Sequence, residues 1–191
     1  MNQVDKKYIL LAGFGWSGAS AVHDLLREYK SVYAINDEFD IVRYADGLMD
    51  LRYHLVTRKT PMFDNYVIER FRWLVDCLNR KQNEARGIFG RNYEELFQGR
   101  FLPASEAFIN RIITDKTQNN IISYMEFFED GRRWFNDIEG EMGEGVLNYA
   151  AITGEAFDEA SKDYINQLFM PGAEKQGASC ILLFPGINSD Y

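Results

Sequence analysis

Between Tyr8 and Tyr29 the chain passes from an apolar run, through three glycines, into a helical repeat, and that junction limits what it can fold into. Lys7 to Gly13 reads as a fully buried strand: Tyr-Ile-Leu-Leu-Ala is short, apolar and ended by glycine. Ser17 or Gly18 to Tyr29 reads as a helix. Its expected buried face is Ala21, Val22, Leu25, Leu26 and Tyr29, at the 3.6-residue spacing. Ser31 to Ile35 is a second buried strand, and Asn36 to Asp40 is its polar exit. Strand, helix and strand over about 30 residues make a βαβ unit, which requires parallel strands and a right-handed crossover.

The junction also carries chemistry. Amides in the first turn of a helix have no partner inside it, and the helix dipole adds partial positive charge. A phosphate therefore binds there without a cationic side chain. Glycines let the backbone approach such a ligand. Ser17 and Ser20 each offer a hydroxyl. The plain alternative is that the glycines only turn the chain and the serines only cap the helix. Gly13-x-Gly15-x-x-Gly18 also matches the dinucleotide fingerprint, with Asp37 or Glu38 about 20 residues on, where a ribose-binding acid belongs. A kinase-type P-loop does not fit, because no lysine stands between Lys7 and Lys30.

Further along, Asp64 is the expected N-cap of a helix to about Asn83, with Val67, Ile68, Phe71, Leu74, Val75 and Leu78 on its apolar face. Ser105 opens another helix, to about Thr114. Ile121–Phe128 is apolar and reads as strand or helix, and Gly140–Gly145 as a flexible acidic loop. A helix over Phe157–Met170 is expected to break at Pro171-Gly172. Cys180–Phe184 is a late buried strand. The expected fold is α/β: a parallel sheet at the two ends of the chain, with a helical insertion over about 55–175 between the early and late strands.

Composition excludes several classes. With 191 residues, 46% of them hydrophobic, the chain supports one domain with a real core. A net charge of −8 argues against a general nucleic-acid binder. Residues 70–116 nevertheless carry 9 basic against 6 acidic groups, so a polyanion finds its best potential there unless those groups only solvate a helix face. No apolar run reaches the ~20 residues of a membrane span, and the start lacks a secretory signal, so an intracellular, cytoplasmic location is expected. Cys77 and Cys180 read as free thiols. His23 and His54 share no ligand spacing, and no metal is expected. His23 reads first as a surface or capped histidine and second as a phosphate contact. The aromatics Phe127, Phe128, Trp134 and Phe135 read as core, with Arg132-Arg133 leaving a sugar or anion platform open. Glu126, Glu129 and Asp130 form no defined carboxylate pair for glycoside hydrolysis.

The segment Ala12-Gly-Phe-Gly-Trp-Ser-Gly-Ala-Ser-Ala-Val22, followed by Leu25-Leu26, resembles the 5′-phosphosulfate loop of sulfotransferases that use 3′-phosphoadenylyl sulfate. Their usual loop is Gly-x-x-(Arg/Lys)-Ser-Gly-(Thr/Ser)-(Ser/Thr). Glu38-Phe39 and Asp46-Gly47-Leu48-Met49-Asp50-Leu51 resemble bacterial sulfotransferase-like proteins found with surface-polysaccharide genes. The likeness covers roughly residues 7–55. It implies a P-loop-NTPase-like sheet and transfer of a sulfonate group to a carbohydrate hydroxyl. It implies that Gly15, Trp16, Ser17, Gly18, Ala19 and Ser20 hold the donor, and that Glu38 takes the acceptor proton.

Two departures accompany it. Trp16 stands where the family has a basic residue, so the cation must come from elsewhere, or the chain is a non-catalytic relative. Arg43, Arg52, Arg70, Arg72, Arg91 and Arg100 are the candidates. Glu38 is otherwise a loop acid or a partner for Arg43 or Arg52. No 3′-phosphate-binding arginine segment follows the late strand, so either the 191 residues are the N-terminal part of a longer protein, which is the simpler expectation, or the 3′-phosphate site is missing and transfer is not expected.

Overall fold

The computed structural model describes residues 6–13, 17–81, 90–118 and 146–185. Gly15, Trp16, Ile121–Phe128, Trp134-Phe135, Arg132-Arg133, the Glu126, Glu129 and Asp130 acids and the Gly140–Gly145 loop lie outside them.

Strands β1 (Lys7–Leu10), β2 (Val32–Tyr33) and β5 (Cys180–Leu183) form a three-stranded parallel sheet in the order β1-β5-β2. Helix α1 (Ala19–Arg27) joins the first two. The chain is therefore mixed α/β with a small parallel sheet. The late strand enters between the two early ones, so β1 and β2 both pair with β5: Tyr8 and Tyr33 both align with Ile181. That central strand is the most apolar stretch of the C-terminal region. Ile181 and Leu182 are fully buried, as its composition requires.

Between β2 and β5 lie α2 (Leu48–Arg52), which continues as a wider turn through Tyr53–Arg58, then α3 (Asp64–Asn79), α4 (Tyr93–Leu96) and α5 (Phe101–Ile112). An antiparallel pair follows, β3 (Asp115–Gln118) with β4 (Val146–Tyr149), and then α6 (Gly154–Gln176). The insertion is thus not purely helical. The core lies among α3, α5 and α6 and reaches the sheet through Phe39, Phe97 and Phe169, whose rings meet edge to face.

The apolar face expected of α3 is buried at all six positions. Its start differs: Phe63, not Asp64, precedes the first helical residue, and the Asp64 carboxylate instead accepts the Ala150 amide at 3.0 Å, tying α3 to β4. Helix α5 begins four residues before Ser105, because Ser105 is a buried residue of its interior. Its hydroxyl bonds the Phe101 carbonyl and the Tyr164 hydroxyl. Helix α6 runs through Pro171 rather than stopping at it. Proline withholds one helical hydrogen bond, but Leu168, Phe169, Gly172 and Ala173 on both sides are buried, and that packing offsets the loss. Thr153 caps its start through the Ala156 amide.

The first βα unit departs most from expectation. All four β1 residues are exposed, Leu10 to 60%, because β1 is an edge and no described strand pairs with its outer side. On α1 the expected buried face is turned outward, with Leu25 60% exposed and Val22 and Tyr29 also open. The buried residue of α1 is His23, at 5%. The predicted second strand shrinks to Val32–Tyr33.

Candidate functional site

The chain leaves all three parallel strands at one edge of the sheet. The Leu11 amide donates to the Leu183 carbonyl at 2.9 Å, and the Phe39 amide to the Phe184 carbonyl at 2.7 Å. The loop after β1 and the loop after β2 are thereby fastened to the end of β5. The carboxyl edge of a parallel sheet is where open α/β folds bind ligands.

On the β1 side, Gly13 folds back onto α1 so closely that a Cβ there would stand 2.5 Å from the Ala19 Cβ. Gly18 precedes the helix with φ 80 and supplies no side-chain cap. The first intrahelical bond runs from the Val22 amide to the Gly18 carbonyl, at 3.2 Å. No side chain of a described residue accepts from the amides of the first turn. Ser17, Gly18 and Ser20 are exposed and Ala19 is half-buried, so this positive helix end is open to an anion. The expected Gly15 and Trp16 contacts lie outside the described residues.

On the β2 side the structure gathers three acids on one guanidinium. Arg91 places Nη1 2.9 Å from Asp37, Nη2 3.0 Å from Glu38 and Nε 3.0 Å from Asp40. The buried Tyr93 hydroxyl receives the Asp40 amide at 2.9 Å and donates to the Glu38 carbonyl. The loop is thus clamped from two residues of one short segment. The partner of Glu38 is Arg91, not Arg43 or Arg52: Arg43 is exposed, and Arg52 binds Asp158 on α6. Burial pushes the Asp40 carboxyl up to about 6. Arg91 pulls it down, while Glu38 and Asp37 add to the rise. Burial lowers the Arg91 pKa, but Asp40 and Asp37 outweigh it, and the net shift is upward.

A carboxyl raised above its unfolded value stabilises the fold fully below the unfolded pKa, near 3.8, and loses that contribution as pH rises through about 6. Asp40→Asn keeps an acceptor for Arg91 Nε and removes the titration. Its melting temperature should vary less with pH between 4 and 7 than that of the parent chain, as scanning calorimetry would read. Identical profiles would mean that Asp40 does not titrate in this range.

Two more of the candidate cations, Arg70 and Arg72, serve the scaffold. Arg70 binds Asp46 and lies over the Trp73 ring, 4.5 Å from its centroid, and Arg72 binds Glu69 and Glu106. The local excess of basic groups in 70–116 is largely consumed this way, with Arg80 on Asp76 and Arg111 on Asp163. Arg100 has Nε and Nη2 buried without a hydrogen-bond partner among the described residues, and its charge acts on Tyr33. Among the described residues, His54 meets the edge of the Tyr53 ring.

His23 is not the surface or capped histidine expected. Its ring stacks on Phe184 at 4.9 Å between centroids and 27° between planes. Sequence reasoning passed over Asp40 and Tyr93 as site residues. Asp40 carried a faint signal, as an acid in the exit of a strand. Tyr93 carried none, because 53 residues separate it from the loop it holds.

Comparison with models of known families, with characterised proteins and with solved structures gives no match.

Proposed function

We propose that the chain is a sulfotransferase-like protein of P-loop-like fold that binds 3′-phosphoadenylyl sulfate at the start of α1 and passes its sulfonate to a carbohydrate hydroxyl. The observation that carries this reading is the uncapped, exposed first turn of α1 at the carboxyl edge of a parallel sheet. The strand order favours it over a dinucleotide-binding oxidoreductase. In doubly wound folds the first two strands are neighbours, whereas here β5 separates them.

In the transfer, the acceptor oxygen attacks sulfur and the bond from sulfur to the bridging phosphate oxygen breaks. Adenosine 3′,5′-bisphosphate leaves with that electron pair. The acceptor proton goes to Glu38, which Arg91 holds through Oε2. The acids beside Arg91 are in excess by two, which repels the donor's phosphates from the β2 loop and favours their seat on the β1 side. No helix among the described residues is long and apolar enough to cross a membrane. A cytoplasmic enzyme of surface-polysaccharide synthesis is the setting this reading takes.

Calorimetric titration tests it. Adenosine 3′,5′-bisphosphate should bind and NAD should not, and Ser20→Ala should weaken the bisphosphate about tenfold. Glu38→Gln should bind the bisphosphate normally and lose transfer. A folded chain that binds NAD, or neither compound, would refute the proposal.

A further inference from the structure

We propose that His23 belongs to the anion site and donates its Nε2 hydrogen to an oxygen of a phosphate group seated on the first turn of α1. The proposal rests on the reading above and adds a residue to it. Two independent observations meet here. The start of α1, a nine-residue helix, is uncapped. His23 is 5% exposed, yet its Nε2 is buried with no hydrogen-bond partner among the described residues. Leaving a buried ring nitrogen unpaired is unfavourable, so its persistence asks for a partner that the described residues do not provide.

Direction follows from helix geometry. Side chains lean back toward the N-terminus of their helix, so a residue on the second turn covers the first. His23 stands five positions after Gly18. Its imidazole lies flat on Phe184, the residue whose carbonyl fastens the β2 loop at the carboxyl edge. The ring is thereby held at the edge of the sheet where the exposed Ser17, Gly18 and Ser20 open the helix. Its Nδ1 lies 3.5 Å from the Asp24 carboxylate, which can only accept, so the ring that also donates from Nε2 to the phosphate carries a hydrogen on both nitrogens. The ligand class is a phosphate monoester or inorganic phosphate, because the recognising chemistry is a ring N–H beside free helix amides.

The chain has only two histidines, so imidazole nitrogen signals resolve into two residues. Titrate the full chain with inorganic phosphate and, separately, with adenosine 3′,5′-bisphosphate, following both rings by nitrogen NMR. The His23 Nε2 resonance should move on saturation while His54 stays. A response to both ligands assigns the contact to the phosphate itself, and a response to the bisphosphate alone assigns it to a nucleotide-borne phosphate. His23→Phe keeps the stack on Phe184 and should weaken binding about tenfold. If the parent chain binds the bisphosphate but the His23 signal is unmoved and His23→Phe binds equally well, this inference falls and the functional reading stands. If the folded parent binds neither ligand, both fall.

Discussion

Gly47→Ala should destabilise the protein by about 3 kcal/mol, lowering its melting temperature by roughly 10 °C. A Cβ at this position would stand 2.4 Å from the Ile41 carbonyl oxygen and 2.8 Å from that of Tyr44. Both are backbone atoms, so no side-chain rotation relieves the contact. The φ of −77 is open to any residue, so the cost comes entirely from close approach. Gly47 links the buried turn at Asp40–Val42 to α2: its amide bonds the Tyr44 carbonyl and its carbonyl accepts the Leu51 amide. Accommodating a methyl group means moving that turn, and with it Asp40. The variant should therefore also show a weakened Arg91 clamp, read as faster amide exchange over 37–40. A melting temperature within two degrees of the parent would show that the turn yields freely.

Gly47 also illustrates what a sequence can disclose. Its motif, Asp46-Gly47-Leu48, was visible as a resemblance, but the reason for the glycine was not, because the nearest atom it must avoid, the Ile41 carbonyl oxygen, belongs to the preceding turn. The long helices were legible wherever burial is one-sided: the six apolar positions of α3 fall on one face and all are buried. Helix ends were less so. Asp64 looked like a cap and Pro171 like a stop, yet each is overridden by tertiary contacts, one with Ala150 and the other with the packing around Gly172.

The first βα unit shows the opposite failure. Its periodicity states which residues would gain from burial, and says nothing of what covers them. Tyr8, Ile9, Leu10, Val22, Leu25 and Tyr29 form the apolar set that the pattern identifies, and in the structure they face outward. The strand order was equally hidden. A βαβ pattern predicts parallel strands, and they are parallel, but the insertion of β5 between them is decided some 150 residues later in the chain. The site divides in the same way. Local elements, the glycine turn and open helix start, were readable, whereas Arg91 and Tyr93 reach the β2 loop from across the sequence.

That long-range clamp gives the second large effect. Arg91→Met should cost about 3 kcal/mol at pH 7, because it leaves Asp37, Glu38 and Asp40 together without their guanidinium, and Asp40 is only 2% exposed. The loss should depend on pH with a definite sign. Asp40 contributes stability below about 3.8 and loses it through about 6 with Arg91 present. Removing Arg91 takes away the influence that lowers this pKa, so the variant holds its proton to higher pH and loses more as the carboxyl is forced to ionise. The gap between parent and variant should widen from pH 4 to 7 and narrow below 4. Adding Asp40→Asn to Arg91→Met should recover part of the loss at pH 7 and flatten the gap. Denaturant unfolding at a series of pH values reads all three curves. A gap of constant size would assign the role of Arg91 to the packing of its hydrocarbon stem rather than to the charges it gathers, and Glu38 would then owe its position to Tyr93 and to the backbone bond of Phe39 to Phe184.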